Sequence, residues 1–236
     1  YMIIIIRIVL NKKNNHLIAH TAKNNRLRFI KMILPKRNLN FYTFSKGLND
    51  KLNSSGYNSH QVIFPNVEEF DVEATKIEIP FEEYIVIWGR SARYLNQKSI
   101  EFLSQSSKNY VIINSNFQKN IYPNLFFCNT KSSNEDKFVI QKATLSLIII
   151  DSVSRGYFKT FYGASGILIS NIYLNIYTII LGSIPSHSDE FHSFYSQFSD
   201  NISVKDFDNT ISKIKINQTF DLNLPKFEDF LHIDEI

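Results

Sequence analysis

One cysteine, seven glycines and six prolines among 236 residues narrow the possibilities at once. A lone cysteine excludes an internal disulfide and makes a reducing compartment the default. Cys128 lies in the apolar run 125–128. Core packing outranks nucleophilic chemistry there, because a reactive thiol needs exposure and a lowered pKa. Scarce glycine and proline argue against a turn-rich β-sandwich and favour regular helices and buried strands. Acidic residues are missing from the first part of the chain: residues 1–49 carry ten Lys/Arg and no Asp/Glu, leaving 16 basic and 22 acidic residues for the rest. Long apolar runs are missing too. A membrane span needs about 20 apolar residues. Residues 1–10 are interrupted by Arg7, and a secretory leader would carry its charge ahead of the apolar stretch. Residues 166–181 contain Asn171 and Asn175. The expectation is a cytoplasmic chain without a transmembrane segment. Its 44% apolar content suffices for a substantial core and excludes global disorder.

What is present alternates between β and α signals. The segments 84–90, 110–116, 124–130 and 145–151 are solidly apolar and end in polar or small residues. Strands of that kind are buried on both faces, which implies a parallel sheet covered by helices. Between them, 95–107 reads as a helix with Leu95, Ser99, Phe102 and Leu103 on one face, and Asn134 reads as the cap of another. Phe191, Phe194, Tyr195 and Phe198 recur at helical spacing, and Asp206 reads as the cap of a helix carrying Phe207, Ile211 and Ile214. The pattern predicts an α/β, doubly wound domain over 68–212. Ahead of it, 3–10, 16–22, 40–46 and 60–67 read as strands, 25–34 as a short basic helix, and Gly56 as the end of another helix. The acidic stretch 68–81 reads as the connection into the larger domain. Residues 1–60 are too few to close a doubly wound domain, so 1–67 is expected to be the tail of an earlier domain plus linker. Residues 213–236 are expected to pack back toward that part.

Ligands of parallel α/β sheets bind beyond the carboxyl ends of the strands. Gly89, Arg90 and Ser91 follow the first apolar strand, and Asn114, Ser115 and Asn116 follow the second. Asn129, Thr130 and Lys131 follow the third, and Asp151, Ser152 and Arg155 the fourth. A glycine permits close approach, an arginine can grip a diphosphate bidentately, and an asparagine or serine can bond a base or ribose. The segment 159–171, KTFYGASGILISN, places Lys159 and two aromatics before Ala164-Ser165-Gly166, with an apolar strand expected after them. A helix N-terminus facing this rim would receive phosphate.

The residues 84–90 and 159–170 together resemble the C-terminal domain of GT-B glycosyltransferases, many of which build bacterial cell-surface polysaccharides. Such domains open with a strand ending in Gly-Arg, as YIVIWGR does, and later carry a Lys–aromatic–Glu–Tyr…Ala-Ser-Gly stretch, which KTFYGASG abbreviates. The region 40–67 is similar to the family's linker. The resemblance implies a Rossmann-like, GT-B type sheet preceded by the tail of a second Rossmann-like domain. It puts Lys159, Tyr162, Ser165 and Gly166 on the loop that holds the donor nucleotide. Gly89, Arg90, Asn114 and Ser115 complete the expected donor site, and His20 is the candidate for reaching the catalytic cleft from the first domain. Two departures stand out: Phe161 runs directly into Tyr162 without the glutamate that would hold the donor ribose, and Ile167 replaces a proline.

The resemblance thus implies a nucleotide-sugar-dependent transferase acting on a glycan or lipid-linked acceptor. No cofactor beyond the donor is expected, nor a nucleic-acid partner. No metal site is expected, since the histidines lack partners at ligand spacing. The basic 1–49 region reads either as a surface for phosphates or an anionic membrane leaflet, or as a solvated face. The competing reading is a non-catalytic module that binds nucleotide or a partner protein. A receiver-like signalling domain ranks below both, because Gly89 and Arg90 stand where it needs acidic residues.

Overall fold

The computed structural model describes residues 9–10, 15–19, 39–43, 46–62, 77–93, 95–117, 122–150, 166–182, 193–199 and 201–214. The first part contains β1 (Val9–Leu10), β2 (Asn15–Ala19), β3 (Leu39–Thr43), α1 (Lys46–Ser54) and β4 (Asn58–Gln61). These strands form a sheet in the order β1-β2-β3-β4, with β1 antiparallel to β2 and the remaining pairs parallel. Leu48 and Leu52 are the buried side chains of α1. The helix ends where the sequence suggests: Gly56 has φ 82, and its N–H and that of Tyr57 return to the carbonyls of Asn53 and Leu52. The basic segment 25–34 and most of the connection 68–81 lie outside the described residues.

The second part contains β5 (Ile85–Ile87), α2 (Gly89–Arg93), α3 (Gln97–Ser104), β6 (Tyr110–Ile113) and β7 (Leu125–Cys128). It continues with α4 (Ser133–Gln141), β8 (Leu145–Ile149), α5 (Gly166–Tyr173), β9 (Thr178–Leu181), β10 (Tyr195–Phe198) and α6 (Val204–Ile211). All five strand pairs are parallel, in the order β7-β6-β5-β8-β9-β10. Counted along the chain this is 3-2-1-4-5-6, an order that reverses between β5 and β8. Residues alternate between the two faces of the sheet. Ile85, Ile87 and Ile112 pack with Ile100 and Leu103 of α3 and Phe207 and Ile211 of α6. Val86, Val111 and Ile113 pack with Phe138, Val139 and Ile140 of α4. Both faces are therefore covered, which is why these strands are apolar at every position. Burying each such aliphatic side chain contributes roughly 2 kcal/mol.

Several local expectations are corrected. The apolar run after Ser165 is helix α5 rather than a strand. It closes in the same way as α1, with Asn175 at φ 56, Asn175 N–H on the Ile172 carbonyl and Ile176 N–H on that of Asn171. The next strand is β9, a few residues further on. The aromatic series 191–198 ends in strand β10 rather than a helix, because Tyr195 to Phe198 complete the ladder along the outer edge of β9. Phe198 also meets the Phe207 ring at 5.9 Å. Caps fall at serines earlier in the chain. Ser132, not Asn134, accepts the Glu135 N–H. Ser203, not Asp206, caps α6: its hydroxyl accepts the Asp206 N–H at 3.1 Å and donates to the Asp206 carboxylate at 2.6 Å. The helix expected over 95–107 is the shorter α3, capped by Asn96, which accepts the Ser99 N–H.

Candidate functional site: the carboxyl rim of the six-stranded sheet

Parallel strands that change winding direction leave a crevice at the point of reversal, outside their carboxyl ends. Here that point lies between β5 and β8. The two strands pair only at Ile85↔Leu145 and Val86↔Ser146. Beyond this register the freed Ile149 N–H is taken by the hydroxyl of Ser91 at 3.2 Å, so a buried side chain of α2 replaces the missing ladder bond.

Gly89 makes the turn out of β5 with φ 60. A Cβ at that position would stand 3.2 Å from Ile167 Cδ1, so the turn lies against the first turn of α5. The two stretches singled out in the sequence, 89–91 and 159–171, are thus brought together where Gly89 meets Ile167, in the described part of the second. Trp88, next to Gly89, donates its indole N–H to Asn171 Oδ1 at 3.0 Å, a second link between the same turn and α5. Arg90 is exposed on α2 at this rim.

Asn114 follows β6 with φ 53. Its amide is already engaged: Oδ1 accepts the Thr130 N–H at 3.0 Å, and Nδ2 donates to Thr130 Oγ1 at 2.6 Å and Asp136 Oδ1 at 3.3 Å. The Thr130 hydroxyl donates to the same Asp136 oxygen. Asn114 therefore ties the ends of β6 and β7 to α4. Ser115 is buried, and its hydroxyl accepts the Phe117 N–H at 3.1 Å. Asn116 bridges to the Arg93 carbonyl at 3.0 Å, joining this loop to α2. His20, Lys159, Tyr162 and Ser165 lie outside the described residues, as do Asp151, Ser152 and Arg155.

No protein-family model matches the chain, and no curated protein matches it. The site therefore rests on its own geometry.

Three rim residues were not singled out for this role by sequence. Trp88 reads only as part of the first apolar strand, and Asn171 only as a polar break in the apolar run 166–181. Gly182, after β9, has φ 121, and a Cβ there would meet the Ile150 carbonyl oxygen at 2.5 Å. The short apolar strand followed by glycine was the available signal. Cys128, at the end of β7, is buried, and burial pushes its thiol pKa up, with Glu135 and Asp136 adding to the effect. Among the described residues no group of three or more His, Cys, Asp or Glu could hold a metal ion. No helix among them is long and apolar enough to cross a membrane. A cavity of about 380 Å³ opens at the other end of the sheet, lined by Glu83, Lys108, Asn109, Thr144 and Ile214 among others. It lies at the amino ends of β5, β6 and β8, opposite the rim to which ligands of parallel α/β sheets usually bind.

Proposed function

We propose that this chain binds a nucleoside diphosphate at the β5/β8 crevice and uses a nucleotide sugar as a glycosyl donor, of the GT-B type. The observation that carries the reading is the reversal of strand order at a glycine turn packed on the first turn of an eight-residue helix. Free N–H groups at such a helix start, with the helix dipole behind them, favour a phosphate. Arg90 and Lys159 would neutralise the diphosphate as it leaves, a stabilisation that needs only fixed positive groups. Ser165 and Gly166 would offer backbone N–H groups, Tyr162 would lie along the donor loop, and the loop 114–116 would lie toward the nucleoside. His20 is the acceptor-side candidate. The acceptor would be a glycan or lipid-linked hydroxyl, with the basic 1–49 region turned toward its phosphates at the inner face of a membrane.

The test is a titration of UDP, GDP and uridine against wild type, Arg90→Ala and Lys159→Ala. Loss of one charge-assisted contact should weaken diphosphate binding by about tenfold in each variant and leave uridine unaffected. Undiminished diphosphate binding in both variants would end this reading. The direct Phe161–Tyr162 junction, without an intervening glutamate, favours a second reading, a nucleotide-binding module without turnover. Donor hydrolysis separates the two: the transferase releases UDP or GDP from a nucleotide sugar, and the module binds without release.

A further inference from the structure

Helix α5 is apolar at nearly every position, GILISNIY, yet it carries one fully buried asparagine. An amide in such a place costs free energy unless both its ends are bonded. Both ends of Asn171 are bonded. Its oxygen accepts the Trp88 indole N–H at 3.0 Å, and its nitrogen donates to the buried hydroxyl of Thr178, at the start of β9, at 3.0 Å. Leucine would fill a similar volume with no polar group to satisfy. The asparagine therefore fixes orientation rather than adding burial.

What it orients follows from spacing. Ile167 lies four residues before Asn171, one turn nearer the helix start, on the same side of the helix. Ile167 abuts Gly89, and Asn171 bonds Trp88. Two successive residues of the β5 turn thus meet two successive turns of α5. Packed apolar faces alone tolerate rotation and sliding, whereas a hydrogen-bonded amide anchored at both ends does not. We infer that Asn171 is a positioning residue: the chain Trp88–Asn171–Thr178 sets the rotation and height of α5, so that its first-turn N–H groups and the Gly89–Arg90 turn address the same diphosphate. This rests on the nucleoside-diphosphate reading above.

Trp88 is the sole tryptophan of the chain, so its fluorescence reports directly on this link. The experiment measures UDP, GDP, inorganic pyrophosphate and uridine binding by calorimetry for wild type, Asn171→Leu, Thr178→Val, Trp88→Phe and the Trp88→Phe/Asn171→Leu double variant, with Trp88 emission recorded alongside for the proteins that retain it. Asn171→Leu should shift Trp88 emission and lower UDP and pyrophosphate affinity about tenfold, with uridine affinity unchanged. Thr178→Val, the milder change, should lower them about threefold and covers the case in which Asn171→Leu does not fold. Trp88→Phe combined with Asn171→Leu should weaken UDP binding no more than Asn171→Leu alone, because both break one link. A merely structural asparagine would lower the unfolding temperature and leave the UDP-to-uridine affinity ratio at the wild-type value; that outcome in folded Asn171→Leu or Thr178→Val overturns the inference while the nucleotide reading stands. Wild type that binds neither UDP nor GDP overturns both.

Discussion

The two ends of the six-stranded sheet are built differently. At the amino ends, side chains tie the loops around the cavity to one another. Asp208 of α6 accepts the Ser106 hydroxyl at 2.6 Å and the Ser107 N–H at 2.7 Å, and Asn124 donates to the carbonyls of Leu103, Ser106 and Lys108. Tyr110 sits beneath them, its phenol pKa raised by burial. At the carboxyl ends the backbone itself is unusual. Among the described residues five have positive φ, and three of them lie at this rim: Asn114 and Gly182 directly follow β6 and β9, and Gly89 stands one residue beyond β5. Of the others, Gly56 and Asn175 close helices. Glycine adopts such a conformation without penalty where another side chain would not fit, and Asn114 holds it at a cost that the surrounding bonds offset. The contrast sets hydrogen-bonded fastening at one end against left-handed backbone at the other, where the proposed nucleotide site lies.

The sharpest way to break this contrast is Gly182→Ala. The new methyl group would be forced onto the Ile150 carbonyl in a conformation that alanine avoids, so the variant should lose about 3 kcal/mol of stability in urea unfolding. A loss under about 0.5 kcal/mol would mean that the rim yields easily to the added methyl group. Asp208→Ala tests the opposite end. Removing a carboxylate that accepts two bonds should cost about 1.5 kcal/mol, while UDP affinity stays within twofold of wild type. A large change in UDP affinity would erase the division of labour between the two ends. The smallest effect concerns Cys128. Its thiol is buried and its pKa raised, so the thiolate is disfavoured relative to an ordinary cysteine. A disulfide reagent at pH 8 should leave the folded protein unlabelled and react fully once urea unfolds it. Rapid labelling of the folded chain would show that the rim opens further than its hydrogen bonds suggest.

Much of the fold is legible in the sequence because burial on both faces leaves a plain mark. Ile85–Ile87, Tyr110–Ile113, Leu125–Cys128 and Leu145–Ile149 are strands within the segments that composition picks out. Helix α5 was not legible, because a helix enclosed by apolar neighbours loses the amphipathic pattern that separates it from a buried strand. The left-handed Asn175 that ends it was the overlooked sign. Strand β10 misled for the reverse reason: aromatics at helical spacing over so few residues also fit an edge strand that buries Tyr195 and leans Phe198 on Phe207. At the candidate site, the Gly89–Arg90 turn could be read from its place after a strand. The engagement of Asn114 with Thr130 and Asp136 could not, since those partners lie on other elements.

By itself, then, the sequence determined the layered α/β class, strands β5 to β8 and the ends from which polar residues project, because these follow from local periodicity and burial. Only the tertiary structure decided the order of the strands, the reversal between β5 and β8, and the meeting of Gly89 with Ile167 and of Trp88 with Asn171. Those depend on where each crossover returns along the sheet and on contacts between residues about eighty positions apart, which no local pattern encodes.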